Sequence, residues 1–377
     1  MGFYNRILSR FSNLVQHIVL RRPTVISAIR RVQKSYLDAE HCSSYDSLVI
    51  FFVPGFDIVS GGVMSIISLA SETKKIFSGS KTGVFVCVIP YHPPLSRFTK
   101  FENNQVIVNY SNLLSRCTNL KAMLLHIPEI HTQYVAKNRH KLFGRFGGQL
   151  YLNILLQNID VAPRPIFVDS LKLYGSVTIT TAHKAYSGED TKRRYGCPVH
   201  HLSVWISPEK YNYKEFGEKR PLIIVSPDDH ELRDVILNKI QAELPQFEFA
   251  VIKNMTYSEY LKIISEARFS LTFGEGLDGY FAEPVFSGGI GSAVYNSQFF
   301  DEEYKDLPFV YASWEKLAHN FSADILQASL NPDEYKVAHK AQFDILAGNY
   351  SYDNYQRNII SYYSRYFDGA MRRLSPS

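Results

Sequence analysis

Cysteine is scarce in this 377-residue chain, and the four present (Cys42, Cys87, Cys117, Cys197) are scattered. No CxxC pair and no Cys/His metal spacing occurs, which argues against a disulfide framework or a zinc module and fits a reducing compartment. Long apolar runs are missing too. None approaches the ~20 residues needed to span a bilayer. The N-terminus lacks the continuous apolar core and small-residue cleavage site of a signal peptide. No GxGxxG follows the first strand pattern, which disfavours a redox Rossmann enzyme. His126 and His131 are five apart with Pro128 between them, so they do not form an HExxH helix. The basic residues show no known module or regular interleaving with aromatics, so nucleic acid is not an expected partner.

What charge there is lies unevenly. The formal net charge is +5. Residues 1–40 hold Arg6, Arg10, Arg21, Arg22, Arg30, Arg31 and Lys34 against only Asp38 and Glu40. Phe3, Ile7, Phe11, Leu14, Val15 and Ile18 recur between them at helical spacing. Such a basic amphipathic pattern suits either an anionic membrane surface or a helix packed on its own domain with a solvated basic face.

Two runs of alternating strand and helix patterns follow. In the first, Ser47–Val53 is an apolar strand ending in Pro54-Gly55, and Gly61-Gly62 opens a helical stretch through Phe77. Further strands are expected at 84–89, 105–110, 122–126, 150–157 and 177–180. The second run has strands at 222–225, 247–252, 269–273 and 292–295, with helices at 229–244 and 257–267. This βα alternation is that of doubly wound sheets. Ser207–Arg220, polar and without apolar period, is read as a hinge. The expected division is 1–40 as basic N-terminal helices, 41–212 and 213–350 as two Rossmann-like domains, and 351–377 as a helix returning to the first.

The most informative segment is Leu271-Thr-Phe-Gly-Glu275-Gly-Leu-Asp-Gly-Tyr-Phe-Ala-Glu283-Pro284. A buried strand runs into a glycine turn, and a helix starts with Glu283 in its first turns. Ligands of open α/β sheets bind outside the carboxyl ends of strands. Glycines there let N–H groups approach a phosphate, and a helix N-terminus favours negative charge. A carboxylate beside those amides would repel phosphate, so it accepts hydrogen bonds from sugar hydroxyls instead. The pattern points to a nucleotide-sugar pocket.

Together with the preceding Tyr257-Ser-Glu-Tyr-Leu-Lys-Ile-Ile-Ser-Glu-Ala-Arg-Phe-Ser-Leu271 and the Gly61-Gly62 turn, this segment resembles retaining GT-B glycosyltransferases. Within them it is most similar to the glycosyltransferase 4-like group of bacterial surface polysaccharide synthesis. The motif-level match spans Tyr257–Asn296. Leu150–Ile159 also resembles a segment of O-antigen and capsule transferases. The resemblance implies an α/β fold of GT-B type, two Rossmann-like domains facing each other across a cleft. It implies metal-independent transfer from a nucleotide sugar with retention, and no cofactor beyond that substrate.

Carried over, Glu283 would bind the ribose hydroxyls and Glu275 the donor sugar. The amides of Gly276, Leu277, Asp278 and Gly279 would face the sugar and its diphosphate, and Gly61 and Gly62 would line the acceptor side. His126, at a strand end, matches a catalytic-cleft histidine. The family's Glu-Gly-Phe-Gly reads Glu-Gly-Leu-Asp-Gly here. Its Arg and Lys after the first strand of the second domain are replaced by Ser226-Pro-Asp-Asp-His-Glu-Leu-Arg233. Arg233 and Lys253 are the cations in reach of that end of the sheet, with Ser226 beside them. His183, after another strand, is a further cleft candidate.

The expected partners are a nucleotide-sugar donor, a glycan or polyprenyl-diphosphate-linked acceptor, and a membrane surface. The expected location is cytoplasmic, peripheral on the inner face of the cell membrane. A nucleotide-sugar epimerase or a non-catalytic subunit on the same architecture stand as alternatives.

Overall fold

Strands buried on both faces of a parallel sheet read as unbroken apolar runs, and Ser47–Val53 (SLVIFFV) is buried at every position. It is β1 of the computed structural model, which describes residues 23–203 and 211–367. The amphipathic pattern at 3–18, part of the expected hinge and the end of the C-terminal stretch lie outside the described residues.

The chain divides into two compact units, one running to Ala182 with Tyr186–Leu202 and Gln356 onward, the other comprising His183–Ala185 and Ser203–Tyr355. The first unit holds a seven-stranded parallel sheet. Its strands are β1, β2 (Thr82–Val88), β3 (Ile107–Asn109), β4 (Ala122–Pro128), β5 (Gln149–Leu156), β6 (Ser176–Thr181) and β7 (Val199–His201), in the order β3-β2-β1-β4-β5-β6-β7. The second unit holds β8 (Arg220–Val225), β9 (Glu248–Val251), β10 (Ala267–Leu271), β11 (Ile290–Val294) and β12 (Val310–Tyr311), in the order β12-β11-β10-β8-β9. Every pair in both sheets is parallel.

Alternation along β8 distributes the core of the second unit. Ile223 and Val225 pack with Ile236, Ile240, Leu317, Phe321 and Ile325 on one face, while Leu222 and Ile224 pack with Tyr260 and Ile264 on the other. Helix starts carry recognisable caps. Ser60 accepts from Val63 N at the head of Gly61–Ile76. Thr256 and Glu259 form a reciprocal capping box on Tyr257–Glu266. The expected helix at 229–244 begins only at Arg233. The turn before it is held by the His230 ring, whose Nδ1 accepts from Leu232 N at 3.2 Å. β7 and β12, three and two residues long, have no expected counterpart, because so few residues carry no periodicity.

A buried polar chain crosses the first unit. His126 on β4 is fully buried and stacks on Phe51 of β1, with centroids 4.3 Å apart and planes at 4°. Asn153 Nδ2 lies 2.8 Å from its Nδ1 and Tyr363 Oη 3.1 Å from its Nε2. Asn153 can only donate there, so Nδ1 accepts and the ring proton sits on Nε2, directed at Tyr363. Tyr363 Oη in turn lies 2.8 Å from Thr73 Oγ1. Asn153 also donates to Thr180 Oγ1 at 2.9 Å and accepts from Thr178 Oγ1 at 3.1 Å, and Thr178 meets Tyr362 Oη at 3.0 Å. His126 is therefore a core residue of the first unit, not the cleft histidine expected from the sequence, because burial leaves it no surface and both ring nitrogens are engaged.

Burial pushes the His126 imidazole down to about 3 from an ordinary 6.5. Its folded pKa is depressed, so the neutral ring costs nothing above pH 6.5. Below that the unfolded chain takes up a proton that the folded one refuses. Stability should fall by on the order of 1 kcal/mol per pH unit between about 6.5 and 3 from this group. His126→Phe should lower stability at neutral pH by about 1–3 kcal/mol, through the donor and hydroxyl left without the ring, and flatten the acid slope. Denaturant melts of both proteins across that pH range measure it; an unchanged slope refutes the assignment.

Candidate functional site in the second unit

The strand order of the second sheet reverses at β8, which has β9 on one side and β10 on the other. Ligands of doubly wound sheets bind at such a switch point, outside the carboxyl ends of the strands. The two segments leaving those ends are Ser226–Asp228, after β8, and Thr272–Asp278, after β10.

Side chains tie the segments together. Phe273 N donates to Ser226 Oγ at 2.9 Å, and Ser226 N donates to Leu271 O at 3.0 Å. Asp278 caps the helix Gly279–Phe286, its Oδ1 accepting from Phe281 N at 3.1 Å. Its Oδ2 accepts from Thr272 Oγ1 at 3.1 Å. The turn carrying Glu275 is thus closed across its base by Asp278 and Thr272. Burial, then the nearby charges of Asp228 and Glu275, push the Asp278 carboxyl up to about 7, against the lowering effect of the Thr272 and Phe281 donors.

Gly276 makes the turn feasible. Its φ is +88°, and a Cβ there would sit 2.4 Å from the Phe300 ring and 3.1 Å from Val294 O. Gly274 lies against Asp228, whose Oδ2 would be 2.8 Å from an added Cβ. That oxygen is buried and has no hydrogen-bond partner among the described residues.

Glu275 is partly exposed on this turn, with a side-chain exposure of 30%. His183, in the part of the chain after β6 that belongs to the second unit, brings Nε2 to 3.7 Å from Glu275 Oε2 and sets its ring edge-on to Phe299. Glu283 sits one turn into the helix Gly279–Phe286, in a nest of tyrosines. Burial first, and then the Glu283 charge, raise the hydroxyls of Tyr211 and Tyr260, and raise Tyr257 to about 12. Tyr260 Oη donates to Gly279 O at 3.2 Å.

Arg233 supplies the positive charge. Its Nη2 donates to Ser226 O at 3.2 Å and its guanidinium lies 5.6 Å from the Phe273 ring centroid. Phe273 in turn stacks on Trp314 at 5.2 Å and 3°, with His230 against the same indole at 4.2 Å. Lys253 is exposed just past the end of β9, one strand away, and makes no ion pair among the described residues.

Of the site residues expected from the sequence, Ser226, Arg233, Glu275, Gly276, Leu277, Asp278, Gly279, Glu283 and His183 all belong to the second unit. Gly61, Gly62 and His126 belong to the first. There Gly62 serves a close approach, since its Cβ would meet Gln157 Oε1 at 2.6 Å, and Gln157 Nε2 donates to Gly62 O at 3.2 Å. Around Gly61 an added Cβ would meet nothing. Sequence reasoning missed Asp228, Thr272 and the tyrosines around Glu283. Tyr257 and Tyr260 share a helix face at i, i+3, which is a detectable signal; Tyr211 carries none. Among the described residues no group of His, Cys, Asp and Glu could hold a metal ion.

No protein-family model matches the chain, and no curated protein is similar to it. Solved structures are. The trehalose-6-phosphate structure from E. coli bound with UDP-2-fluoro glucose superposes with a TM-score of 0.50 at 9% identity, over 83% of this chain and 98% of that one. An α,α-trehalose-phosphate synthase (UDP-forming) from Burkholderia vietnamiensis gives 0.47 at 9%, over 84% and 99%. The wall teichoic acid polymerase TagF gives 0.40 at 9%, over 94% and 98%.

Gly276→Ala should destabilise the second unit by more than about 1 kcal/mol, from the left-handed backbone and the Phe300 contact together. Urea melts check this, and an unchanged midpoint would contradict the turn geometry. The α/β architecture, two parallel sheets flanked by helices, is of the GT-B type seen in glycosyltransferase structures.

Proposed function

We propose that the chain is a glycosyltransferase that takes a sugar from a nucleotide-sugar donor bound by the second unit. The observation that carries this reading is the closed turn Thr272–Asp278 at the switch point, which sets Glu275, Gly276 and Leu277 directly before a helix start. The fold of a structure bound with UDP-2-fluoro glucose supports it.

In this reading Glu275 accepts hydrogen bonds from hydroxyls of the donor sugar, and Glu283 from the ribose. The Gly276 and Leu277 amides and the Arg233 guanidinium stabilise the diphosphate as negative charge builds on it. The bond from the anomeric carbon to the diphosphate oxygen breaks, and a bond to the acceptor oxygen forms. The acceptor proton passes to the departing diphosphate. Retention at the anomeric carbon, and a growing bacterial surface polysaccharide or lipid-linked acceptor, are the finer terms of the proposal. They rest on the resemblance of Tyr257–Asn296.

The test combines calorimetry with nucleoside diphosphates and turnover with a panel of nucleotide sugars and lipid-linked glycans. Arg233→Met should weaken diphosphate binding by about 10- to 100-fold, the worth of a charge-assisted hydrogen bond. Glu275→Gln should reduce turnover by roughly 100-fold while diphosphate affinity holds. Undiminished product formation by a Glu283→Ala variant would sink the site assignment.

A further inference from the structure

Two cysteines far apart in the sequence share one seam of the first unit. Cys42 opens the short turn after the helix Pro23–Ala39, and Cys117 caps the end of the helix Tyr110–Arg116. Contacts on both sides hold the two segments together. Asp38 pairs with Arg116. Asn119 Nδ2 donates to Ser43 O at 3.5 Å, and Lys121 N donates to Asp46 O at 2.7 Å. Cys42 falls between Asp38 and Ser43 on one segment, and Cys117 between Arg116 and Asn119 on the other, so this register sets them opposite each other. Glu40, paired with Lys74 at 2.9 Å, ties the same turn to the helix Gly61–Ile76.

Both side chains are buried in that seam, Cys42 at 3% exposure and Cys117 at 6%, and Cys42 Sγ donates to Leu37 O at 3.4 Å. Each thiol is the largest influence on the other. Cys117 draws the Cys42 thiol below its ordinary value, against burial and with the Arg116 charge adding to the effect, while Cys42 pushes the Cys117 thiol up. Mutual influence of that kind requires the two sulfurs to be near neighbours. The residues flanking the pair, His41, Ser43, Ser44, Thr118 and Asn119, are exposed. The seam therefore lies one layer below solvent, and a small reagent enters it by local opening of the turn. The other cysteines are placed differently. Cys87, on β2 and without exposure, is a further thiol near Cys117 but a smaller influence on it. Burial pushes the Cys197 thiol up to about 11.

We infer that Cys42 and Cys117 form a reversible disulfide site, which staples the turn after the first described helix to the end of Tyr110–Arg116. The reaction is exchange with a small disulfide of the glutathione type. The Cys42 thiolate attacks one sulfur of the reagent, breaking its S–S bond and expelling one thiolate. The Cys117 thiol gives up its proton, and its sulfur attacks Cys42 Sγ, expelling the second thiolate. The protein loses two electrons and two protons, and the reagent is reduced to two thiols. Cys42 acts first because a thiol beside a cation is the more readily ionised of the two. In a reducing compartment both remain thiols, so the bond marks an oxidative excursion. Nothing in this depends on the donor site of the second unit.

Titration of the full chain with oxidised glutathione tests it, read by intact mass, peptide mapping after alkylation, and melting. One intramolecular bond should form, with the loss of two hydrogens and a linked Cys42–Cys117 peptide. The melting temperature should rise by about 5–10 °C and return with dithiothreitol, because the bond closes a long loop of the unfolded chain. Cys42→Ala and Cys117→Ala should each abolish the bond and the shift, leaving a glutathione adduct on Cys42 in the Cys117→Ala protein, whereas Cys197→Ala should keep both. The linked peptide is read on wild type, so the outcome does not hang on the folding of any variant. Full oxidation without loss of two hydrogens, a linked peptide through Cys87 or Cys197, mixed adducts alone, or a formed bond that leaves melting unchanged would each overturn the inference.

Discussion

A parallel sheet buried on both faces tolerates polar side chains only if each finds its hydrogen-bond partners, and the first unit depends on that condition at His126. The imidazole sits on β4 with Asn153 on one nitrogen and Tyr363 on the other. Asn153 continues to Thr178 and Thr180 on β6, and Tyr362 closes on Thr178. The chain of bonds therefore fixes three strands and the last described helix against one another. A buried network of this kind specifies one arrangement, because any shift in register strands a donor or acceptor in a low-dielectric interior.

The second unit is organised around a different constraint, the closure of a short turn. Asp278 does two things at once, capping a helix and accepting from Thr272. Gly276 supplies a backbone angle that a side chain would strain, in a space the Phe300 ring already occupies. Glu275 is thereby offered to solvent on a rigid base, and Glu283 lies among tyrosine hydroxyls whose ionisation its charge opposes. Positive charge comes from Arg233, anchored to the end of β8 through Ser226 and 3.7 Å from the exposed Asp234 carboxylate.

Much of this was legible in the residue pattern. The continuous apolar runs of β1, β4 and β5 announce strands covered on both sides, and the Thr256–Glu259 box announces a helix start. The turn between β10 and its following helix shows itself through its glycines, because unusual backbone angles leave a compositional trace. Other features left none. β7 and β12 are too short for a period. The helix after β8 starts late because a local His230 contact competes with helical geometry. His126 looked like a site residue because it lies near a strand end, a position shared by buried and ligand-facing side chains alike.

The sequence by itself determined the α/β alternation, the glycine turn with its two glutamates, and the one-sided charge of the first forty residues. These depend on local periodicity and composition, which are properties of short segments. Only the tertiary structure decided that His126 is sealed in a core, that Arg233 reaches Ser226, that tyrosines surround Glu283, and that Asp38 and Glu40 are used up by Arg116 and Lys74. Each joins residues distant in the chain or turns on which face of an element is covered, and such contacts arise from packing of whole elements rather than from any local preference.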